Sequence, residues 1–395
     1  MALNACEKVP LVNLNQEELF ELSFGRMENQ IDLFQIEGVP FNKSNLIYMR
    51  DGKIYISNGN VSKVMEFTAY GDLVFLLYNR FLNTKPFILS SDDIVDLTNR
   101  LAREYPFLDI SHIEVDTQKN LYVVDKVPKE QREYNADNNT EYFERILRFN
   151  KYGELVDFFG QEGVGGRGTP FSYIEGIFIS SNDELVVISK NPNNLYSNIP
   201  THNYMIYWFS NNGDILYKIE LSSNNMPREE FLISCIDNIA IDYNNKEIVI
   251  MVSYLQKVID DSTGMFDLIS RKMQRIYHFS LEQNAFVKEI NIPDTGKRQE
   301  WVGVDDTVLP SYEFIGITIH GYYFFIRPEG QNKHSLLILD KNGNISSIRN
   351  ILVDDSEIFY KDLYLSRKGI IIGLLCYFRE AKIVWWRSDK LLPEL

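Results

Sequence analysis

The residues able to do chemistry in this 395-residue sequence are scattered rather than clustered. His112, His202, His278, His320 and His334 share no metal-ligand spacing, so a histidine-based zinc site is not expected. Glycines crowd residues 160–168, but no Gly-Lys-Ser/Thr ending follows and Arg167 does not replace it. That stretch is therefore a crossover loop, not a phosphate cradle. Asp340-Lys-Asn-Gly-Asn344 alternates oxygen-bearing side chains as calcium loops do. It has no Glu at the twelfth position, and its glycine comes too early, so a tight hairpin turn is the better reading. No Gly-x-Ser-x-Gly elbow is present. Cys235 and Cys376 lie in apolar runs and read as buried free thiols, although sequence alone does not decide whether they pair.

Cys6 is different. Leu3-Asn4-Ala5-Cys6 resembles the bacterial lipobox, Leu-x-Ala/Gly-Cys, whose cysteine becomes the lipidated first residue of a mature lipoprotein. Asn4 departs from the usual small residue. The reading requires an apolar signal segment ahead of this sequence. Residues 7–18 follow as a polar tether. No run of 18 or more apolar residues occurs, so membrane attachment is expected through a lipid anchor only.

The elements that position everything else are short strands. Aromatic residues make up 13% of the chain and hydrophobic ones 45%, which favours β-structure with a large core. The net charge is -15 with no basic run, which argues against a nucleic-acid partner. Ile113-Glu-Val-Asp116, Asn120-Leu-Tyr-Val-Val-Asp125, Phe143 to Phe149 and Leu155 to Gly160 form a four-strand antiparallel unit by period and turn chemistry. The same unit recurs from about Asp32, Ile174, Ile236, Phe314 and Leu363. The first hairpin turn appears in all six units, as at Asp51-Gly52. A glycine followed by Asp, Glu or Asn marks the third turn at Gly71, Gly153, Gly213 and Gly343. Six repeats of four strands predict an all-β, six-bladed β-propeller occupying residues 19–395.

The sixth unit lacks an outer strand, and Leu19 to Phe24 is expected to supply it. Ser91 to Glu104 has a Ser N-cap, early acids and apolar residues at Ile94, Leu97 and Leu101. It is expected to form a short helix between blades 1 and 2, ended by Pro106. The charged, Asn-rich stretch from Val127 to Tyr142 is expected to be a loop.

Phe158-Phe-Gly160, the Gly-rich crossover, Ile174-Glu-Gly-Ile-Phe-Ile179 and Asn120-Leu-Tyr-Val-Val-Asp125 together resemble the NHL repeat over residues 109–190. Gly25 to Phe34 and Lys63 to Leu73 are similar to segments of an NHL-like lipoprotein family of spirochaetes. The resemblance implies a periplasm-facing envelope protein, on the outer rather than the inner membrane, and a monomer is expected. Its expected role is a non-enzymatic protein-interaction scaffold without cofactor, with a β-barrel assembly component as the partner. The alternative it implies is a metal-dependent lactonase-type hydrolase. Related propellers hold a divalent cation in the central channel, and Glu175, Asp237, Asn238 and Glu114 are the matching candidates here. A small-molecule or glycan sensor is a third reading. Trp301 and Trp386 are candidate interface anchors. One of Trp385 and Trp386 must face the core, since strand neighbours point opposite ways.

Overall fold

The computed structural model describes residues 12–33, 44–87, 101–136, 140–160, 166–167, 171–191, 203–259, 266–293, 311–329 and 332–393. They form six antiparallel sheets arranged as propeller blades, with one extra two-stranded ribbon. The innermost strands, in blade order, are Asn45–Arg50, Ile113–Val115, Ile174–Ile179, Ile233–Ile241, Glu313–Ile317 and Tyr360–Leu365. Each is followed outward by its hairpin neighbours in sequence order.

Turn chemistry sets these hairpins. Asp51 and Gly52 both have positive φ, 48° and 76°, as a two-residue primed turn demands. The third turns use one recurring device. The Gly71, Gly153, Gly213 and Gly343 N–H groups donate to the carbonyls of Thr68, Asn150, Ser210 and Asp340 at 2.9–3.1 Å. The pairing register slips by one residue beside each of them. A left-handed glycine closing such a bulged turn is cheap, where a Cβ would be strained. In the last of them Asp340 also accepts the Asn342 and Asn344 N–H groups at 2.8 and 2.9 Å, so its carboxylate serves its own turn.

The ring closes as the sequence predicts. Gln16–Ser23 pairs antiparallel with Glu380–Trp386 and becomes the outer strand of blade 6. Hydrophobic clusters fill the gaps between blades. One joins blades 6 and 1 through Leu22, Phe67 and Ile383, and another joins blades 5 and 6 through Phe324, Leu375 and Trp386.

Three local expectations change. Leu101–Glu104 is not the end of a helix but a strand, parallel to the outer strand Leu73–Tyr78 of blade 1. That outer strand has an unpaired edge, and backbone pairing there outweighs the helical spacing of two leucines. Residues 91–100 lie outside the described residues. Gly166–Arg167 and Asn13–Leu14 cover the outer edges of blades 2 and 5 in the same parallel fashion. The stretch 13–18, expected to belong to a tether, is therefore mostly strand. The 127–142 stretch is a ribbon rather than a loop, with Glu133–Asn135 paired to Thr140–Tyr142.

The two faces of the disc differ. In a blade of four antiparallel strands, the first and third turns emerge on one face. The second turn and the crossover to the next blade emerge on the other. Here the first and third turns are all tight. The connections spanning 79–112, 127–143, 160–173, 192–202 and 292–312 all start and end on the opposite face. The ends Ile259 and Phe266 of the long strands Glu247–Ile259 and Phe266–Ser280 of blade 4 point the same way.

Candidate functional site

The six innermost strands run in one direction around a central channel of about 250 Å³. Their N-terminal ends lie at the face carrying the long connections, and their C-terminal ends at the face of tight turns.

The channel is closed at the tight-turn end. Arg367, in the first turn of blade 6, donates to the Ile179 carbonyl of blade 3 on the opposite side, and to the Ser180 carbonyl at 3.5 Å. Its guanidinium stands 4.0 Å from the Glu114 carboxylate and 4.6 Å from the centre of the Tyr243 ring. Glu114 also accepts the Tyr48 hydroxyl at 2.6 Å. Arg50 of blade 1 donates to the Val115 carbonyl at 2.9 Å. Burial pushes the Glu114 carboxyl above its ordinary range, and Arg367, the Tyr48 hydrogen bond and Arg50 pull it back. Glu114 is thus spent on the plug.

Toward the mouth the walls are apolar, with Ile113, Ile177, Ile239, Phe314 and Leu363, and a few polar groups. Asp362 accepts the Ile47 N–H at 2.7 Å, and burial raises its carboxyl to about 6 against that bond. Burial lowers the His112 imidazole to about 4, and its Nδ1 has no hydrogen-bond partner. The Tyr364 hydroxyl has none either.

The remaining channel candidates sit close but face different tasks. Glu175, Asp237 and Asn238 line one side cavity of about 150 Å³ between blades 3 and 4. Asp237 accepts hydrogen bonds from the Ser253 hydroxyl and, at 3.2 Å, the Gln274 amide. Asn238 donates to the Phe314 carbonyl at 3.0 Å. Glu175 is 3.8 Å from Lys190 and largely exposed. Trp386 is fully buried between blades 5 and 6, so it packs the core and reaches no partner. Trp385 is the outward neighbour, donating its indole N–H to Glu17 at 2.9 Å. Cys6 and Trp301 lie outside the described residues.

A second polar site escapes the sequence. On the tight-turn face, between blades 4 and 5, a cavity of about 620 Å³ holds Asp242, Glu247 and His278 with one ligand-type atom each within 4.8 Å of the others. His278 Nδ1 lies 2.8 Å from Glu247, and its Nε2 lies 2.6 Å from the Tyr323 hydroxyl. Lys288 donates to that hydroxyl at 2.9 Å. The Lys288 ammonium already supplies the positive charge these carboxylates face, so the group reads as a self-compensated lock between blades. Histidine spacing does not reveal it, because its ligand-type atoms come from a turn and two strands. Pairing register does: Val249, two residues past Glu247, sits opposite His278.

No family model matches this chain, and no curated protein does. Among solved structures it is similar to the polysaccharide lyase Uly1, with 9% identity, a TM-score of 0.44, and coverage of 95% of this chain and 99% of that one. It is similar to a putative gluconolactonase, with 10% identity, a TM-score of 0.39, and coverage of 95% and 94%. It is also similar to the β-propeller domain of the Trilobed protease from Pyrococcus furiosus, with 10% identity, a TM-score of 0.37, and coverage of 88% and 96%. The class, a six-bladed β-propeller, stands on the chain's own strand order. Likenesses this distant carry no activity across.

Proposed function

We propose that this propeller is a non-enzymatic scaffold, lipid-anchored through Cys6 in the cell envelope, that recruits a protein partner through the face bearing its long connections. The observation that supports it most is the asymmetry of the two faces. Among the described residues, the turns on one face are all tight, while the strand ends that flank the longer connections lie at the other. Long connections in a compact domain are more often functional or disordered than neutral. The lipobox-like start and the NHL resemblance add the envelope setting, and a component of β-barrel assembly is the partner class. The membrane contact is the lipid alone; among the described residues no helix is long and apolar enough to cross.

The test is crosslinking in envelope membranes with the full-length, signal-bearing protein, mapped by mass spectrometry. Crosslinks to a β-barrel assembly protein should fall on the face of long connections. Replacing residues 128–142 with a short Gly-Ser link should lower their yield about tenfold. A Cys6→Ser protein should leave the membrane fraction. Crosslinks confined to the tight-turn face, or an unlipidated bait, would sink the proposal.

A second reading, a divalent-cation hydrolase of lactonase type, draws on one observation: Glu175, Asp237 and Asn238 share a cavity. Calorimetric titration with Ca²⁺ or Mn²⁺ tests it. Tight binding lost in Asp237→Ala would favour it over the scaffold.

A further inference from the structure

The outer edges of the blades are not guarded alike. Blades 1, 2 and 5 have theirs covered by the short parallel strands Leu101–Glu104, Gly166–Arg167 and Asn13–Leu14. The outer strand of blade 6 carries Glu17, Glu18 and Glu21 and no Lys or Arg, so a second copy laid against it would meet its own charge. In blade 4 the outer strand Ala285–Asn291 turns Lys288 inward to Tyr323 and gives Glu289 to Arg275. Blade 3 has none of these guards. Its outer strand, Ile215–Ser222, ends its sheet and pairs only with Asn203–Phe209 among the described residues. Such an edge is a row of unpaired N–H and C=O groups, which is a template for another strand. It also exposes Ile215 and Leu216 by 42% and 40%.

The side chains of this strand indicate which strand it takes. Tyr217, Ile219 and Leu221 pack into the cluster shared with blade 4. Leu216, Lys218 and Glu220 lie on the other side of the strand, all exposed. Lys218 rests 5.5 Å from the centre of the Tyr207 ring, but neither Lys218 nor Glu220 has an ion-pair partner among the described residues. Two copies of the strand, laid antiparallel about a two-fold axis through Ile219, set each Lys218 opposite the second copy's Glu220. The same register sets Ile219 against Ile219 and Tyr217 against Leu221. Moving the axis one residue either way sets Lys218 against Lys218 or Glu220 against Glu220. Opposite charges across a strand pair stabilise and like charges destabilise, so the charges select one register.

We propose that two copies of this chain form a two-fold dimer by pairing their blade 3 outer strands about Ile219, which joins two four-stranded blades into one sheet. A single strand pair buries less area than a standard protein–protein interface, so the dimer is micromolar rather than nanomolar. The monomer expected from the sequence then describes the dilute protein. The edge lies on the rim of the disc, apart from the partner-binding face proposed above, and the dimer stands or falls without that reading.

The experiment is sedimentation equilibrium of the purified full chain, from about 1 μM to about 500 μM. The parent should dimerise with a Kd below about 100 μM. Lys218→Glu and Glu220→Lys should each weaken the dimer about tenfold or more, since each sets like charges opposite one another twice. Both positions are exposed, so unchanged far-UV circular dichroism is expected. The double variant, which exchanges the two charges, should recover the parent's Kd to within about threefold. An equimolar mixture of the two single variants should recover it too, because every facing pair is then opposite in charge. A parent still monomeric at about 500 μM, a dimer indifferent to both single reversals, or a mixture that fails to recover would each overturn the proposal. If the parent stays monomeric and the blade 3 edge instead crosslinks to another envelope protein, that protein is the occupant and the second copy is not.

Discussion

Arg367 and Glu114 lie on different blades and meet across the base of the channel, with the guanidinium 4.0 Å from the carboxylate. Both side chains are mostly buried. Arg367 also ties blade 6 to the Ile179 and Ser180 carbonyls of blade 3, directly opposite. The plug is therefore a strut spanning the ring as well as a seal.

Replacing one partner of a buried pair leaves the other charged and alone, which costs about 3–5 kcal/mol. Arg367→Met should fall in that range. Glu114→Gln should cost less, since a Gln still accepts the Tyr48 hydroxyl. The double variant should cost clearly less than the sum, because the stranded carboxylate is gone. Urea unfolding of the four proteins measures this. Additivity within about 0.5 kcal/mol would show that the pair is not coupled.

Such a strut has no local signature. Arg367 was readable only as part of an Arg-Lys-Gly turn, and Glu114 only as a polar position on an innermost strand. Their meeting depends on the radial arrangement of blades far apart in sequence. What could be read in advance is what local chemistry fixes: Asp51-Gly52, the glycines of the third turns, and the alternation of apolar residues. The closing strand was also readable, because blade 6 lacked a partner. The Leu101–Glu104 strand was not, because the free edge it covers belongs to another segment. Likewise, His278 meets Glu247 and Tyr323 only once two strand registers and one blade interface are known.

Glu144 gives a pH dependence. It is buried at the start of the third strand of blade 2 and accepts the Ile174 N–H of blade 3 at 2.5 Å. Burial raises its carboxyl from 4.5 to about 7, against the pull of that hydrogen bond and of Lys126. A carboxyl whose folded value is raised binds its proton more tightly in the folded state. Its contribution is therefore fully present below about 4.5 and lost as pH rises through about 7. Glu144→Gln keeps an acceptor for Ile174 and removes the ionisation. The variant should lose less thermal stability than the parent between pH 5 and pH 7.5, with a difference of at most a few kcal/mol. Melting curves at four pH values measure it, and parallel curves would exclude the assignment.

The closing strand carries the last prediction. Leu22 is buried in the cluster that joins blades 6 and 1, and Phe20 packs on Phe67 with ring centres 5.2 Å apart. The same strand satisfies the backbone of Glu380–Trp386, which is otherwise an open edge. Leu22→Ala should cost about 2–4 kcal/mol, the usual range for a buried leucine. Removing residues 1–23 takes away that burial and the edge pairing together. It should destabilise by on the order of 5 kcal/mol or more. It should also leave a strand edge that recruits other chains, so the truncated protein should aggregate at concentrations where the parent stays dispersed. A synthetic peptide covering residues 12–24 should restore part of the lost melting temperature in a concentration-dependent way, because it rebuilds the same pairing. A truncated protein with the parent's melting temperature would mean that the ring closes without this strand, and the Gln16–Ser23 pairing would then be an ornament on an already complete blade.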